Sequence, residues 1–224
     1  MGRLRENLWI LIGIIVFGSF WGALEATLGG TLALVHFPRH GAVMANIGFL
    51  VMAAAVMLYK KPGMQLGIGA VAASFKLLDV PIFHVPPFAQ MIVNPMVAII
   101  MEALAFEIVV GLILRRWPKS IFAQAGAGVL GIYLAYIGTV LSFLYLTHRG
   151  PHYILSDPWG FILKGGGFAA LLALAAVPVG SWLGGLLDRI EHAIKLRPRL
   201  YYAGAGGLVL LCLAAAVWGT ATLG

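Results

Sequence analysis

The sequence predicts an all-α polytopic membrane protein: about seven transmembrane helices, a six-helix core plus one C-terminal helix, with the N-terminus cytoplasmic. Three observations predict it. The 224 residues are 61% hydrophobic and only 10% charged, with mean hydropathy +0.97, whereas soluble domains carry roughly 25% charged residues. The apolar residues gather in seven runs, most of them near the roughly 20 residues a helix needs to cross hydrocarbon. The basic residues fall in short clusters between those runs.

The first run, 8–34, follows Met1-Gly2-Arg3-Leu4-Arg5, a start that looks like a signal-peptide n-region. The apolar stretch continues to about Val35 with no small-residue cleavage site at the usual distance, so a retained first helix is expected. It carries Gly18, Gly22, Ala26 and Gly30 at four-residue spacing, with Ser19 and Ala23 one step round. Such a stripe admits the backbone of another helix, and its periodicity fits packing inside the protein or against a partner equally well. The second run, 42–59, stops at the turn Lys60-Lys61-Pro62-Gly63. The third, 64–79, is short for a crossing, and the Pro81–Pro87 stretch is expected to complete it as non-helical chain sheltered by protein or water. Runs 90–114, 121–146 and 160–187 follow. The last, 200–222, has no charged residue, follows a basic linker and is expected as an appended anchor. The domain organisation is therefore a core at 1–199 and an additional helix at 200–224.

Orientation follows from the basic residues. With the N-terminus inside, the inner segments hold Arg3, Arg5, Lys60, Lys61, Arg115, Arg116, Lys119, Arg189, Lys195, Arg197 and Arg199. The outer side keeps Arg39 and Arg149, with Lys76 and Lys164 near helix ends. That asymmetry obeys the positive-inside rule. It also accounts for the net charge of +7 without a nucleic-acid partner. The single cysteine, Cys212, sits in an apolar run, so neither a disulfide framework nor a cysteine metal site is expected.

Polar chemistry concentrates in the three outer connections. The first is Val35-His36-Phe37-Pro38-Arg39-His40-Gly41. The second runs from Asp79 through Pro81, Phe83, His84, Pro86, Pro87 and Phe88 to Gln90; the third holds His148, Arg149, Pro151, His152, Tyr153, Asp157 and Trp159. Stiff, chemically varied loops on one face suit a binding mouth, although aromatic and imidazole rings also collect at membrane interfaces. Ionisable groups within spans are costly and mark function by default; here they are Glu25, Lys76, Glu102 and Glu107. At 1.5 Å per residue, Glu25 and Lys76 reach similar depth, which allows them to pair. Asn94 shares a helical side with Glu102, and Lys164 is placed to snorkel. The candidate substrate-binding residues are thus His36, His40, Lys76, Asp79, His84, Asn94, Glu102, His148, His152, Asp157 and Trp159, with Phe83, Phe88 and Tyr153 offering further aromatic faces.

No P-loop, HExxH, GxSxG or dinucleotide fingerprint occurs. No histidine lies at mid-span where haem would need it, and Gly150-Pro151 breaks the helical spacing of His148 and His152. Neither cofactor nor bound metal is expected.

Residues 17–115 resemble the substrate-binding (S) components of energy-coupling factor (ECF) transporters. The resemblance rests on Gly18-Ser19-Phe20-Trp21-Gly22-Ala23-Leu24-Glu25-Ala26, on the loop His36 to Gly41, on Gly67 to Leu78, and on Asn94-Pro95 through Glu102-Ala103-Leu104. It implies a mostly six-helix fold with an outward-facing pocket for a vitamin or metal ion, capped by the loop after the first helix. It also implies a first-helix stripe, here Gly18, Gly22, Ala26 and Gly30, that docks on a transmembrane coupling subunit driven by two cytosolic ATPases. A seventh helix is one more than such components usually have. The start Met1-Gly2-Arg3 lacks the Met-His of the cobalt and nickel members, which points away from those metals.

Three functions are compatible with these features. The first is a small-molecule capture subunit of an ATP-driven importer in a prokaryotic inner membrane, itself not an enzyme, surrounded by lipid and working with those partners. The second is a membrane-anchoring or assembly subunit without a ligand. The third is a small intramembrane enzyme using Glu102 or Glu107 with an outer histidine as acid and base. An aromatic anionic vitamin, a purine-like base and a chelated metal all fit the mixed polar loops as cargo.

Overall fold

Backbone in hydrocarbon must satisfy its own hydrogen bonds, and the seven apolar runs all do so as helices. The computed structural model describes residues 2–147, 150–195 and 198–223, and among these no strand occurs. Seven helices are long and apolar enough to cross a membrane: α1 (Asn7–Leu34), α2 (His40–Tyr59), α3 (Met64–Phe83), α4 (Gln90–Leu114), α5 (Ile121–Tyr145), α6 (Pro158–Arg189) and α7 (Leu200–Thr222). Because α1 runs from the N-terminus, the bundle end holding residues 7–10 is called proximal below, and the end where α1 finishes is called distal.

Proximal connections are tight. The α2–α3 turn places Lys60 and Gly63 in left-handed backbone, φ 53° and 76°, a conformation glycine adopts without steric cost. Glu107 of α4 then accepts hydrogen bonds from the backbone N–H of Gly63 at 2.8 Å and of Gln65 at 3.2 Å. A carboxylate from a neighbouring helix thus satisfies donors that the first turn of α3 leaves open. Arg115 approaches the same carboxylate at 3.9 Å.

Six helices close into a ring in the order α1, α3, α4, α5, α6, α2, and α2 also touches α4 across the centre. Trp21, Phe49, Met52, Ile68, Phe106 and Val177 are buried in its core. The Phe49 and Phe106 rings meet edge-on, centroids 4.9 Å apart, the orientation favoured by the ring quadrupoles. Within a bilayer, helices associate through close packing of small residues and not through exclusion of water. The tightest seam is α6 on α2, where Gly180 and Gly184 lie against the backbone carbonyls of Leu50 and Ala54. α7 stands outside the ring, with Cys212 and Ala216 packed on Ala23 and Ala26 of α1.

Two expectations change. The Pro81–Pro87 stretch is not a non-helical completion of the third span. The helix narrows to a 3-10 turn at Phe75–Leu78 and resumes over Asp79–Phe83 with Pro81 inside it. Proline is tolerated there because it stands in the first turn of a renewed helix, where its missing N–H leaves no bond unmade. His84, at φ 52°, ends the helix. The small-residue stripe of α1 is also used up inside the bundle. A Cβ on Gly18 would lie 2.5 Å from Val71 Cβ, and one on Gly22 would lie 2.6 Å from the Phe75 ring. Ala26 is only 4% exposed, and Gly30 lines the cavity described next.

Candidate ligand cavity

At the distal end the ring opens into a cavity of about 380 Å³. α1 contributes Glu25, Gly29 and Ala33; the start of α2 contributes His40, Gly41 and Met44; α3 contributes Lys76. Asn94, Pro95 and Glu102 come from α4, and Tyr136, Thr139 and Phe143 from α5. Pro151, Tyr153 and Ile154 of the next connection and Phe161 of α6 complete the wall.

Every one of these spanning helices except α2 is irregular where it meets the cavity. α1 widens into a π-turn at Glu25–Gly29, α5 at Ser142–Thr147 and α6 at Phe161–Gly165. α3 tightens into the Phe75–Leu78 turn, and α4 carries Pro95. Each irregularity holds a lining residue: Glu25, Phe143, Phe161, Lys76 and Pro95. Such turns displace side chains from the regular helical register and cost backbone bonds.

The charges are arranged unequally. Lys76 Nζ meets Asp79 Oδ2 at 2.8 Å, with both side chains mostly buried. It does not pair with Glu25, as the matching depths allowed. The 3-10 turn is the cause, because at three residues per turn positions i and i+3 eclipse. Glu25 is faced by the Trp21 indole N–H, which is not aligned well enough to close a hydrogen bond. Glu102 Oε2 and Asn94 Oδ1 are buried and have no hydrogen-bond partner. On the neighbouring α5, Tyr136 stacks on Phe161 of α6 with centroids 4.8 Å apart and planes 28° from parallel.

No known protein family, curated protein or solved structure matches the chain. The functional argument rests on the geometry of this cavity.

Of the residues expected to bind substrate, His40, Lys76, Asn94 and Glu102 line the cavity, and Asp79 stands behind Lys76 as its counter-ion. The others are not brought to its wall. His36 is exposed in left-handed backbone, φ 51°; His84 terminates α3; His152 is exposed. Asp157 caps the start of α6, its Oδ1 accepting from Gly160 N at 2.8 Å. Trp159 is 71% and Phe88 84% exposed. His148 lies outside the described residues. Phe83 is absent from the cavity wall, whereas Tyr153 is part of it. Among the described residues no group of three or more His, Cys, Asp or Glu is placed to hold a metal ion.

The two glutamates of α4 do different work. Glu102 faces the cavity, and Glu107 caps α3 at the opposite end. Residues that sequence reasoning missed are the apolar and aromatic ones, Met44, Met91, Tyr136, Phe143 and Phe161, and the hydroxyl-bearing Thr139. Tyr136 and Thr139, three apart in an apolar run, were the one legible signal. The first connection is fastened across the mouth by Arg39, whose guanidinium lies 4.8 Å over the Phe168 ring of α6.

Proposed function

We propose that the chain is the substrate-capture subunit of an ATP-driven importer, akin to an ECF S component, in a prokaryotic inner membrane. The observation that carries this reading is a cavity open at one end of a bundle of seven apolar helices, its mostly apolar wall carrying a few polar groups, among them buried acceptors on Glu102 and Asn94 that the protein itself leaves unpartnered. Ionisable groups at such depth are costly and are kept where a ligand or ion uses them. A volume of about 380 Å³ lies in the range of small-molecule sites, about 300–1,000 Å³. The basic residues of the proximal turns support a cytoplasmic proximal end under the positive-inside rule, and with it an outward-facing cavity. ATP hydrolysis belongs to partner subunits in this scheme, and the chain captures and presents substrate without transforming it. Because Gly18, Gly22 and Ala26 are packed internally, contact with a coupling subunit falls to other surfaces of the bundle.

The test is isolation of the tagged chain from its native membrane. A transmembrane coupling subunit and two ATPases should co-purify, and the isolated chain should bind a small molecule saturably. A chain that brings down no such subunits and binds no small molecule defeats the proposal.

A further inference from the structure

The polar groups of the cavity select by charge. The one deep cation among the described lining residues, the Lys76 ammonium, is paired with Asp79 at 2.8 Å. His40 stands at the exposed rim, and Arg39 is drawn over Phe168. Among the described lining residues this leaves two further carboxyl groups, Glu102 and Glu25, the latter within reach of the Lys76 charge, together with the unpartnered carbonyl oxygen of Asn94. The carboxyl and carbonyl oxygens accept hydrogen bonds, and the N–H groups of the same wall are those of the Asn94 amide, the rim His40 and the paired Lys76. Next to Glu102, on the adjoining α5 and α6, stand the stacked pair Tyr136 and Phe161 together with Phe143, whose faces carry the negative lobe of the ring quadrupole and attract cations.

We infer that the cavity takes a small organic cation with a flat aromatic body: a protonated amine or amidine-like group toward Glu25 and Glu102, an N–H to Asn94 Oδ1, and a ring against Tyr136 and Phe161. This identification rests on the capture reading above and specifies its cargo. An anionic ligand would bring a further negative group to a wall that already holds the Glu25 and Glu102 carboxyls, an arrangement that discriminates against it. A bare divalent ion is a poor occupant as well. Calcium takes six to eight oxygen ligands, whereas the described residues offer no metal-holding cluster and far more room than an ion fills.

The experiment uses the whole chain in nanodiscs and two matched sets that differ only in charge: tyramine, tyrosol and 4-hydroxyphenylacetate; and tryptamine, tryptophol and indole-3-acetate. Affinity is measured by microcalorimetry on the wild type, on Glu25→Gln and on Glu102→Gln, each shown to be folded by its thermal unfolding. In at least one set the amine should bind tightest and the carboxylate weakest. Each glutamine variant should lose about tenfold to a hundredfold in amine affinity, the worth of a charge-assisted hydrogen bond, and should leave the alcohol unchanged. Tighter binding of the carboxylate or the alcohol, or amine affinity unmoved in both variants, overturns the cation assignment while leaving a capture site. Saturable binding of none of the six at millimolar concentration overturns both.

Discussion

Replacing Asp79 with Asn tests the electrostatic logic of the cavity most directly. The Lys76–Asp79 pair is 2.8 Å long, with side chains 14% and 5% exposed. At an effective dielectric of about 20, two unit charges at that separation attract by roughly 6 kcal/mol. Most of this is cancelled by the cost of desolvating both ions, so the intact pair adds little net stability. Removing one partner is different, because it strands a buried charge at a cost of about 3–5 kcal/mol. Asp79→Asn should fall near the lower bound, since Lys76 borders the cavity and water reaches it. Lys76→Met should fall near the upper, since Asp79 is only 4% exposed. The double variant K76M/D79N removes both charges and should cost no more than about 2 kcal/mol, so that against single costs of about 3 and 5 kcal/mol the coupling energy is about 6 kcal/mol or more. Reversible unfolding in mixed micelles reads all four corners of the cycle. The reasoning is refuted if Asp79→Asn costs less than about 1 kcal/mol, or if the double variant is as unstable as the two single ones summed. A further consequence follows for binding. In Asp79→Asn the Lys76 charge is released into the cavity, so amines should bind more weakly and carboxylates more tightly.

Two further perturbations probe the frame around the site. Glu107→Ala removes the carboxylate that accepts from Gly63 and Gln65; it should cost about 1–2 kcal/mol, in line with loss of a helix cap, and speed hydrogen exchange at the start of α3 without altering ligand affinity at the far end. Unchanged exchange there would show that the cap contributes nothing. Gly184→Ala places a Cβ against the Ala54 carbonyl and should destabilise by about 1–3 kcal/mol through overpacking. Gly185→Ala, where a Cβ meets nothing within 4 Å, should stabilise by up to about 1 kcal/mol by removing a helical glycine. Equal effects at the two positions would refute the close α6–α2 seam.

Spanning helices and their order are legible from hydropathy because the bilayer admits few alternatives: all seven apolar runs, 8–34 through 200–222, reappear as helices. The third run was drawn too short because Pro81 was read as a breaker, when its place in a renewed first turn makes it harmless. Partners are harder to read. The glycine stripe on α1 is visible in the sequence, but periodicity says only that something packs closely, and here it is α3. Depth was legible for Glu102, Asn94 and Lys76, since polar residues in apolar runs stand out. Direction was not legible for the loop histidines. A connection of several residues fixes no azimuth, and His36, His84 and His152 turn away from a cavity that His40 reaches by standing in the first turn of α2. Asp157 misled for a related reason: an aspartate just before a proline and a helix is as good a cap as it is a ligand group.

The helix irregularities tie these observations together. In hydrocarbon a backbone carbonyl or N–H without a partner costs several kcal/mol, so a regular α-helix is the default and every departure needs compensation. Four of the five short irregular turns, at Glu25–Gly29, Phe75–Leu78, Ser142–Thr147 and Phe161–Gly165, lie at the distal end, and so does Pro95; only Val110–Leu114 lies at the proximal one. A packing accident would scatter them along the bundle. Gathered around one cavity, they are tolerable because water or a ligand can supply partners there. They also turn Glu25 and Lys76 to where they stand: the 3-10 turn brings Lys76 onto Asp79, and Glu25, in its own π-turn, faces the cavity without an ion-pair contact of its own. The charge selectivity inferred for the site is therefore a product of backbone geometry as much as of residue identity. Straightening the Phe75–Leu78 turn would part Lys76 from Asp79, leave its charge unpaired in the cavity wall and cancel that selectivity.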